Sequence, residues 1–190
     1  IAALTNWGRY KDVDGDGIPY RTLPGTHPTK GSYFTRGSSH DEYARYSEDS
    51  ATYVRIVDRI AKKFETAKSL VHPPQKYQSQ NKSDIGMIFF GTTTQSALEA
   101  RDIMKDEGVI VDAMRLRAFP FNEEVLEFID SHEQVFVIEQ NRQGQMRSLL
   151  INELEVNPKK LIKVVNYDGM PITAAFICEK MNQNLLISVE

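Results

Sequence analysis

A cluster of polar residues that could bind a ligand or a partner follows an apolar run in the second half of the chain. The run covers residues 135–138, and the polar stretch 139–145 reads Glu-Gln-Asn-Arg-Gln-Gly-Gln. A short continuous apolar run is typical of a strand covered on both faces, as in a parallel sheet between helices. Ligands and partners meet such sheets at the loops that follow the strands. The residues expected to contact an anion or a partner here are Asn141, Arg142, Gly144 and Gln145.

The alternative for this stretch is that Asn141 and Gly144 only shape a turn, since turn residues usually serve turns. A second polar loop, residues 91–94, follows another apolar run. Hydroxyl and N–H groups at a helix start favour anions, so Thr92 and Thr93 are further candidates for anion or partner contact. Their alternative role is simple helix capping. The sequence contains neither a phosphate loop nor a G-x-G-x-x-G dinucleotide motif.

An acidic turn near the start of the chain invites comparison with a calcium loop. An EF-hand loop needs oxygen ligands at its positions 1, 3 and 5, Gly at 6 and a bidentate acid at 12. The residues at the first four of those positions are Asp12, Asp14, Asp16 and Gly17. The twelfth position is Leu23, which cannot ligate. An acidic turn is therefore the default interpretation, and calcium binding by the three aspartates is the alternative.

Further chemically capable side chains are scattered between residues 21 and 45. The candidates are Arg21, Thr22, Arg36, His40 and Arg45. Arginine can grip a carboxylate or a phosphate with two parallel hydrogen bonds, and His40 beside Asp41 could titrate. The alternative is that these side chains hydrogen-bond to the backbone of their own loops.

The second half of the chain alternates between strand and helix patterns. Strands are predicted over residues 85–90, 109–119, 134–138 and 161–167, and helices over 95–107, 123–131, 145–155 and 173–185. This alternation predicts a three-layer α/β domain with a mostly parallel sheet over residues 84–190.

The first half of the chain is organised differently. Residues 1–48, called the arm, are punctuated by Gly and Pro and carry many aromatic residues. More than about 15 irregular residues are unusual inside a compact domain, so we interpret the arm as lying on a surface that is missing from this chain or belongs to a partner. Residues 49–83 are predicted to form a long amphipathic helix, over 49–70, and a polar linker.

Composition excludes several classes of protein. The chain has 190 residues, a net charge of -3 and no basic stripe, so nucleic-acid binding is not expected. No apolar run approaches the roughly 20 residues that span a bilayer. A single cysteine, Cys178, excludes an internal disulfide framework and fits a reducing compartment such as the cytoplasm. Because the sequence begins with Ile1 and has no secretory signal pattern, we expect it to be the carboxyl-terminal portion of a longer polypeptide.

Seven stretches, in collinear order, resemble the carboxyl-terminal part of the alpha subunit of 2-oxoacid:ferredoxin oxidoreductases. They are residues 14–25 (DGDGIPYRTLPG), 34–40 (FTRGSSH), 45–49 (RYSED), 63–68 (KFETAK), 91–92 (GT), 116–121 (LRAFPF) and 137–145 (VIEQNRQGQ). The arm looks most similar to the 2-oxoglutarate branch of this family. The resemblance spans nearly the whole chain.

The resemblance implies a fold and a reaction. Residues 84–190 would resemble the transketolase carboxyl-terminal domain, in which one antiparallel strand can occur. The complete complex would include a beta subunit and use thiamine diphosphate, magnesium, an iron–sulfur cluster and coenzyme A. It would convert a 2-oxoacid to its acyl-CoA by oxidative decarboxylation and pass the electrons to ferredoxin.

This chain departs from the intact family member in two respects. The amino-terminal pyrimidine-binding domain, with its Tyr-Pro-Ile-Thr-Pro-type motif, is absent, and one cysteine cannot ligate a cluster that needs several thiolates. We therefore expect no catalytic residue and no bound cofactor in this chain alone. Its expected role is to brace a subunit interface in an oligomer, with the arm near the active-site entrance. Alternatives are a domain of another thiamine-dependent enzyme, or a stand-alone anion- or calcium-binding module.

Overall fold

The computed structural model describes residues 3–31, 39–80 and 83–187, with residues 186 and 187 described by their backbone alone. The chain forms two compact units, Ile1–Leu70 and Val71–Glu190. We call the second unit the lobe. Among the described residues, no helix is both long and apolar enough to cross a membrane.

The first unit is built on one long helix, α1 (Ser50–Ala67). The helix begins where the sequence predicts, because the Asp49 carboxylate accepts a 2.8 Å hydrogen bond from the Thr52 backbone N–H and so caps the helix start. It ends three residues earlier than the predicted Leu70, in a turn closed by backbone bonds.

The acidic turn of the arm packs on α1. Arg59 donates a 2.9 Å hydrogen bond to the Gly17 carbonyl, and the Thr66 hydroxyl donates to the Asp16 carbonyl. Gly17 lies so close to the helix that an added Cβ would be 2.5 Å from the Lys63 backbone nitrogen. Part of the surface that the arm requires is therefore a helix of the same chain, which the sequence analysis did not anticipate.

The lobe contains a five-stranded sheet in the order β1-β3-β2-β4-β5. In chain order its elements are β1 (Gln75–Tyr77), β2 (Ile85–Phe90), α2 (Thr94–Asp106), β3 (Asp112–Leu116), α3 (Glu123–Asp130), β4 (Gln134–Glu139), α4 (Gln145–Leu154), β5 (Leu161–Val165) and α5 (Ala174–Ile187). Strands β2 to β5 are parallel, and β1 pairs antiparallel with β3. The predicted fold class, a three-layer α/β lobe with a mostly parallel sheet, is confirmed.

Helices cover both faces of the sheet, which explains the continuous apolar runs. Successive strand residues point to opposite faces, so Met87 and Phe89 pack with α2 and α5, whereas Ile88 and Val137 pack with α3 and α4. All four side chains are fully buried. Burying each such side chain contributes about 1.5–3 kcal/mol relative to leaving it in water, so these two cores hold the strands in one register.

A buried polar pair fixes the amino-terminal edge of the sheet. His132 Nε2 lies 3.3 Å from the Asp112 carboxylate, and His132 Nδ1 lies 2.6 Å from the Phe128 carbonyl. The other Asp112 oxygen accepts a 2.7 Å bond from the Ser79 backbone N–H. These bonds join the end of α3, the start of β3 and the segment after β1, so the pair serves the fold.

Cys178 is a buried structural thiol, and its reactivity should be low. It lies on α5 with 7% of its surface exposed, and its sulfur is 3.5 Å from the Ala100 carbonyl oxygen. Burial raises the pKa of the thiol because it penalises the thiolate. We expect Ellman's reagent at pH 8 to label the folded protein at least tenfold more slowly than the urea-unfolded protein. Equal rates would contradict a buried Cys178.

Candidate functional site

The strand ends of the lobe line up at one edge, which we call the carboxyl edge. In the parallel ladder Phe90 pairs with Leu116, and Glu139 pairs with Val165. The loops that follow β2, β3, β4 and β5 therefore emerge on the same side of the sheet. Open α/β sheets bind ligands at this edge, where neighbouring strands send their connections in opposite directions. In this sheet that point lies between β2 and β4.

An open cleft of about 610 Å³ lies at the carboxyl edge. The residues that line it are Thr92, Ser96, Gln140, Asn166, Tyr167, Gly169, Met170, Pro171 and Ile172. They come from the loops after β2, β4 and β5 and from the first turns of α2. Tyr167 is the one ionisable side chain in this set, so the cleft is equipped with amides, hydroxyls and apolar groups and not with a nucleophile and its base.

Gln140 ties the three loops around the cleft together. Its Nε2 donates to the Thr93 and Thr92 hydroxyl oxygens at 3.1 and 3.4 Å. Its Oε1 accepts from the Ile172 backbone N–H at 3.3 Å. The sequence analysis did not single out Gln140. Its position in the polar stretch 139–145, directly after the apolar run, was the signal that could have found it.

Glu139 and Asn141 organise the start of α4. The Glu139 carboxyl group is fully buried and accepts from the Met146 and Arg147 backbone N–H groups at 2.7 and 3.0 Å. It also accepts from Asn141 Nδ2 at 2.8 Å. Asn141 Oδ1 in turn accepts from the backbone N–H groups of the next turn, Gly144 at 2.8 Å and Gln145 at 3.2 Å. The N–H groups that an anion would use at this helix start are therefore bonded to side chains of the chain itself.

The remaining residues predicted for this loop divide into two groups. Gly144 is buried and adopts a left-handed conformation, with φ of 71°, against the Lys163 side chain. Together with the bonds of Asn141, this supports the turn-shaping alternative for both residues. Arg142 and Gln145 are exposed on the outside of the loop, where contact with a partner stays a prediction.

Thr92 and Thr93 belong to a short 3-10 turn, Gly91–Thr93, between β2 and α2. Thr93 is buried and Thr92 is exposed at the cleft. Both hydroxyl oxygens accept bonds from Gln140, so they position the cleft wall. A separate hydrogen bond, 2.6 Å long, joins the first residue of α2 to the turn, from the Thr94 hydroxyl to the Gly91 carbonyl.

The candidate residues of the arm do not form one cluster in the described part of the first unit. Arg21 is exposed, whereas Thr22 is 3% exposed and its hydroxyl donates a 2.6 Å bond to the Lys30 carbonyl. His40 stacks on Tyr10 with ring centroids 4.1 Å apart. Thr22 thus serves the loop structure, in line with its backbone-bonding alternative.

Two further arm candidates have different outcomes. Arg45 is exposed, and its guanidinium lies 5.6 Å from the centroid of the Tyr43 ring. It lies on the same small hairpin as His40, because Asp41 N–H donates a 2.8 Å bond to the Arg45 carbonyl. Arg36 lies outside the described residues.

The acidic turn brings carboxylate oxygens of Asp12, Asp14 and Asp16 within 4.8 Å of one another. The Asp12 carboxylate accepts from the Gly15 and Gly17 backbone N–H groups, and the Asp16 carboxylate accepts from the Ile18 N–H. The Tyr20 hydroxyl, 2.9 Å away, lowers the pKa of Asp14 and has its own pKa raised by that carboxylate. Leu23, at the twelfth position, is 68% exposed. These hydrogen bonds hold the turn without an ion, and calcium binding stays a prediction.

An ion pair between the arm and α1 gives a prediction for pH dependence. The pKa of Glu42 lies below its ordinary value, first because its own backbone N–H bonds to the carboxylate and next because Arg55 does, at 3.1 Å. A depressed pKa adds stability above the unfolded-state pKa, and that stability is lost as the pH falls through the folded-state pKa.

We therefore expect Arg55→Gln to raise the pKa of Glu42 in an NMR titration, and Lys62→Gln, on the exposed part of α1, to leave it unchanged. The stability effect should stay below about 1 kcal/mol because the pair is partly exposed. An unchanged Glu42 pKa in Arg55→Gln would refute the assigned cause.

Comparison with known proteins bears directly on the lobe. Residues 83–174 match the family model described as pyruvate:ferredoxin oxidoreductase core domain II. The chain is also 28% identical, over 171 residues and 88% of its length, to 2-oxoacid:ferredoxin oxidoreductase 2, subunit alpha, from Aeropyrum pernix. The resemblance to 2-oxoacid:ferredoxin oxidoreductase alpha subunits is confirmed.

The oxidoreductase match includes the whole cleft, since every lining residue lies between Thr92 and Ile172. The chain spans about a quarter of the curated relative, 26% of its length. The lobe and arm therefore correspond to a minor part of that oxidoreductase subunit.

A solved oxidoreductase supports the fold. The 2-oxoglutarate:ferredoxin oxidoreductase from Magnetococcus marinus, solved with 2-oxoglutarate, coenzyme A and succinyl-CoA bound, aligns with a TM-score of 0.80 at 22% identity. The alignment covers 95% of this chain and 31% of that one. A split-gene transketolase aligns over 57% of this chain and 40% of its own, with 21% identity and a TM-score of 0.48, which is too low to support an inference.

Proposed function

We propose that this chain is the carboxyl-terminal portion of the alpha subunit of a 2-oxoacid:ferredoxin oxidoreductase, with 2-oxoglutarate as its 2-oxoacid. The complete complex would decarboxylate the 2-oxoacid oxidatively, form the acyl-CoA and pass the electrons to ferredoxin. The observation that carries the proposal is the collinear similarity to an alpha subunit over 88% of the chain. The 2-oxoglutarate branch rests on the arm motif, residues 14–25, as read from the sequence.

Within that complex, the lobe would serve assembly and bracing of the active site. Its cleft is lined by amide, hydroxyl and apolar groups, which suit binding and not proton or group transfer. The polar groups around Gln140 are bonded to one another and hold three loops in place. Such a preformed surface is what an interface between subunits needs.

The cofactors would be held by other parts of the complex. An iron–sulfur cluster needs several thiolate ligands, whereas the sequence has one cysteine, and that residue, Cys178, is buried on α5. The cluster ligands would therefore come from another part of the complex, for which the beta subunit is the candidate. Thiamine diphosphate, magnesium and coenzyme A would be bound by the beta subunit and by the amino-terminal domain of the alpha subunit. This chain alone would be inactive.

The arm would lie near the active-site entrance of the complex, which would be a cytoplasmic oligomer. The candidates there are Arg21, Thr22, Arg36, His40 and Arg45. Exposed arginines such as Arg21 and Arg45 can grip carboxylates, which 2-oxoacids carry. Thr22 would contribute by holding the loop that presents Arg21, since its hydroxyl bonds to the Lys30 carbonyl.

A substrate panel assayed on the native complex tests this proposal. The protein would be affinity-tagged in its host, and the purified complex supplied with coenzyme A, ferredoxin and one 2-oxoacid at a time. We expect coenzyme A-dependent reduction of ferredoxin, with kcat/KM for 2-oxoglutarate at least tenfold above that for pyruvate. A preference for pyruvate would overturn the substrate assignment, and the absence of reduction with every 2-oxoacid would overturn the function.

A further inference from the structure

One side of α1 carries a row of apolar side chains that are exposed. Tyr53, Val57, Ile60 and Phe64 recur at steps of four, three and four residues, which brings them to the same side of a helix with about 3.6 residues per turn. They are 57%, 44%, 40% and 44% exposed, and Val54 beside them is 54% exposed. We call these five residues the α1 stripe. Contiguous exposed apolar groups mark interaction sites in proteins, so the stripe is a candidate contact surface.

The acidic turn of the arm packs on a different side of α1. Arg59 and Thr66, which donate hydrogen bonds to the carbonyls of that turn, lie about 100° or more around the helix axis from the row of the stripe. The apolar side of an amphipathic helix normally faces a core. In α1 the turn is bonded through polar side chains, and the apolar side is the exposed one. The stripe is therefore suited to a surface other than this turn.

The composition and size of the α1 stripe indicate what kind of partner covers it. Its side of the helix continues with Ala61 and Ala67 and carries no charged residue, which is typical of a permanent contact. From Tyr53 to Phe64 the stripe is about 17 Å long, and it is about one helix, or 10 Å, wide. Each partner in a stable complex of separate molecules buries about 800 Å². A contact as small as the stripe is stable by itself when the partner is covalently linked, because the linkage supplies a high effective concentration.

The first described residues of the chain lie close to α1. The Tyr10 backbone N–H donates a 2.9 Å bond to the Glu42 carbonyl, and the Tyr43 hydroxyl donates a 3.0 Å bond to Asn6 Oδ1. The Glu42 carboxylate in turn pairs with Arg55 of α1 at 3.1 Å. Polypeptide joined to the start of this chain is therefore tethered beside the amino-terminal half of the helix, where the stripe begins.

We propose that the α1 stripe packs against an apolar surface of the same alpha-subunit polypeptide, in the part that precedes residue 1. Helix α1 then lies between two parts of one subunit, with the arm on its polar side and the amino-terminal part on the stripe. This inference rests on the proposed function, in which the chain is the carboxyl-terminal portion of that subunit. The curated alpha subunit is long enough to supply the covering part, since the chain spans 26% of it.

Photo-crosslinking in the affinity-purified native complex tests what covers the stripe. With p-benzoylphenylalanine in place of Tyr53, we expect one dominant crosslink, to a peptide that precedes residue 1, without an increase of subunit mass on a denaturing gel. The control carries the probe in place of Asp58, an exposed residue on another side of α1, and should not give this crosslink. A dominant crosslink to another subunit, to a second copy or to the lobe, the same crosslink from both positions, or no crosslink would each overturn the proposal.

A charge placed in the stripe tests whether it is buried in the intact subunit. In the full-length protein, Ile60→Glu should speed amide exchange in α1 at least about tenfold, because a buried unpaired charge is costly. Ile60→Ala, which only shortens the side chain, should speed it to a smaller extent and serves if Ile60→Glu fails to fold. The control, Asp58→Lys, reverses an exposed charge on the same helix and should leave the exchange rate unchanged. Exchange in both Ile60 variants at the level of Asp58→Lys would overturn the proposal.

Activity measured on the same preparations separates this inference from the proposed function. The expected Tyr53 crosslink in a complex without any 2-oxoacid-dependent turnover would leave the packing of α1 standing and remove the function. A complex that turns over a 2-oxoacid but crosslinks from Tyr53 to another subunit would do the reverse.

Discussion

Glu139→Ala is expected to lower the free energy of unfolding of the protein by about 3 kcal/mol, because it leaves two partly buried backbone N–H groups and the Asn141 amide without their acceptor. The Glu139 carboxyl group is fully buried and accepts from two backbone N–H groups at the start of α4 and from Asn141. A negative charge at this end of a helix also interacts favourably with the helix dipole. Urea unfolding followed by circular dichroism measures the change.

Two variants control this experiment. Glu153→Ala removes an exposed carboxylate from the same helix and should change stability by less than about 0.5 kcal/mol. Glu139→Gln keeps one acceptor oxygen, so its loss of stability should lie between those of Glu139→Ala and Glu153→Ala. If Glu139→Ala unfolds like Glu153→Ala, the buried carboxyl group does not hold the loop that presents Arg142, and the rigidity of the carboxyl edge loses its physical basis.

Gly17→Ala is expected to release the acidic turn of the arm from α1. Gly17 has a φ of 82°, and an added Cβ would be 2.5 Å from the Lys63 backbone nitrogen and 2.9 Å from the Arg59 carbonyl oxygen. Since these are backbone atoms of a helix, the turn has to move. The expected cost of at least about 2 kcal/mol corresponds to roughly 30-fold faster amide exchange in the turn and in the facing part of α1.

Gly25→Ala is the matched control for this substitution. Gly25 has nearly the same φ, 81°, and an added Cβ would meet no atom within 4 Å. It therefore carries the cost of a left-handed alanine, about 1–2 kcal/mol, without the clash. Equal exchange behaviour of the two variants would show that the arm does not pack on α1 as described.

The elements predicted well from the sequence are those whose patterns depend on burial. The apolar run of β4 and the helical rhythm of α1 each marked their element within a few residues. Strand β1 was missed because its three residues, Gln, Lys and Tyr, are too few to show an apolar alternation. Backbone pairing with β3 holds it in the sheet, and backbone pairing leaves no signature in residue types.

The sequence indicated which loops to consider for the candidate site, but not the contacts that its residues make. The loops containing Thr92 and Asn141 were identified because strand ends are where binding loops lie. The role of Gln140 could not be predicted, since its partners Thr93 and Ile172 come together only through the sheet order. The exposure of Met170 could not be predicted either, because the residue type alone does not say whether a methionine in a loop is buried or exposed.

Deletion of the lobe from the intact subunit tests the account most directly. Full-length protein lacking the whole lobe, Val71–Glu190, would be coexpressed with the other subunits of its complex and purified through an affinity tag. We expect the subunits to fail to copurify and the 2-oxoacid-dependent reduction of ferredoxin to be lost. Assembly and turnover at the level of the undeleted complex would contradict the proposed role of this lobe in subunit assembly.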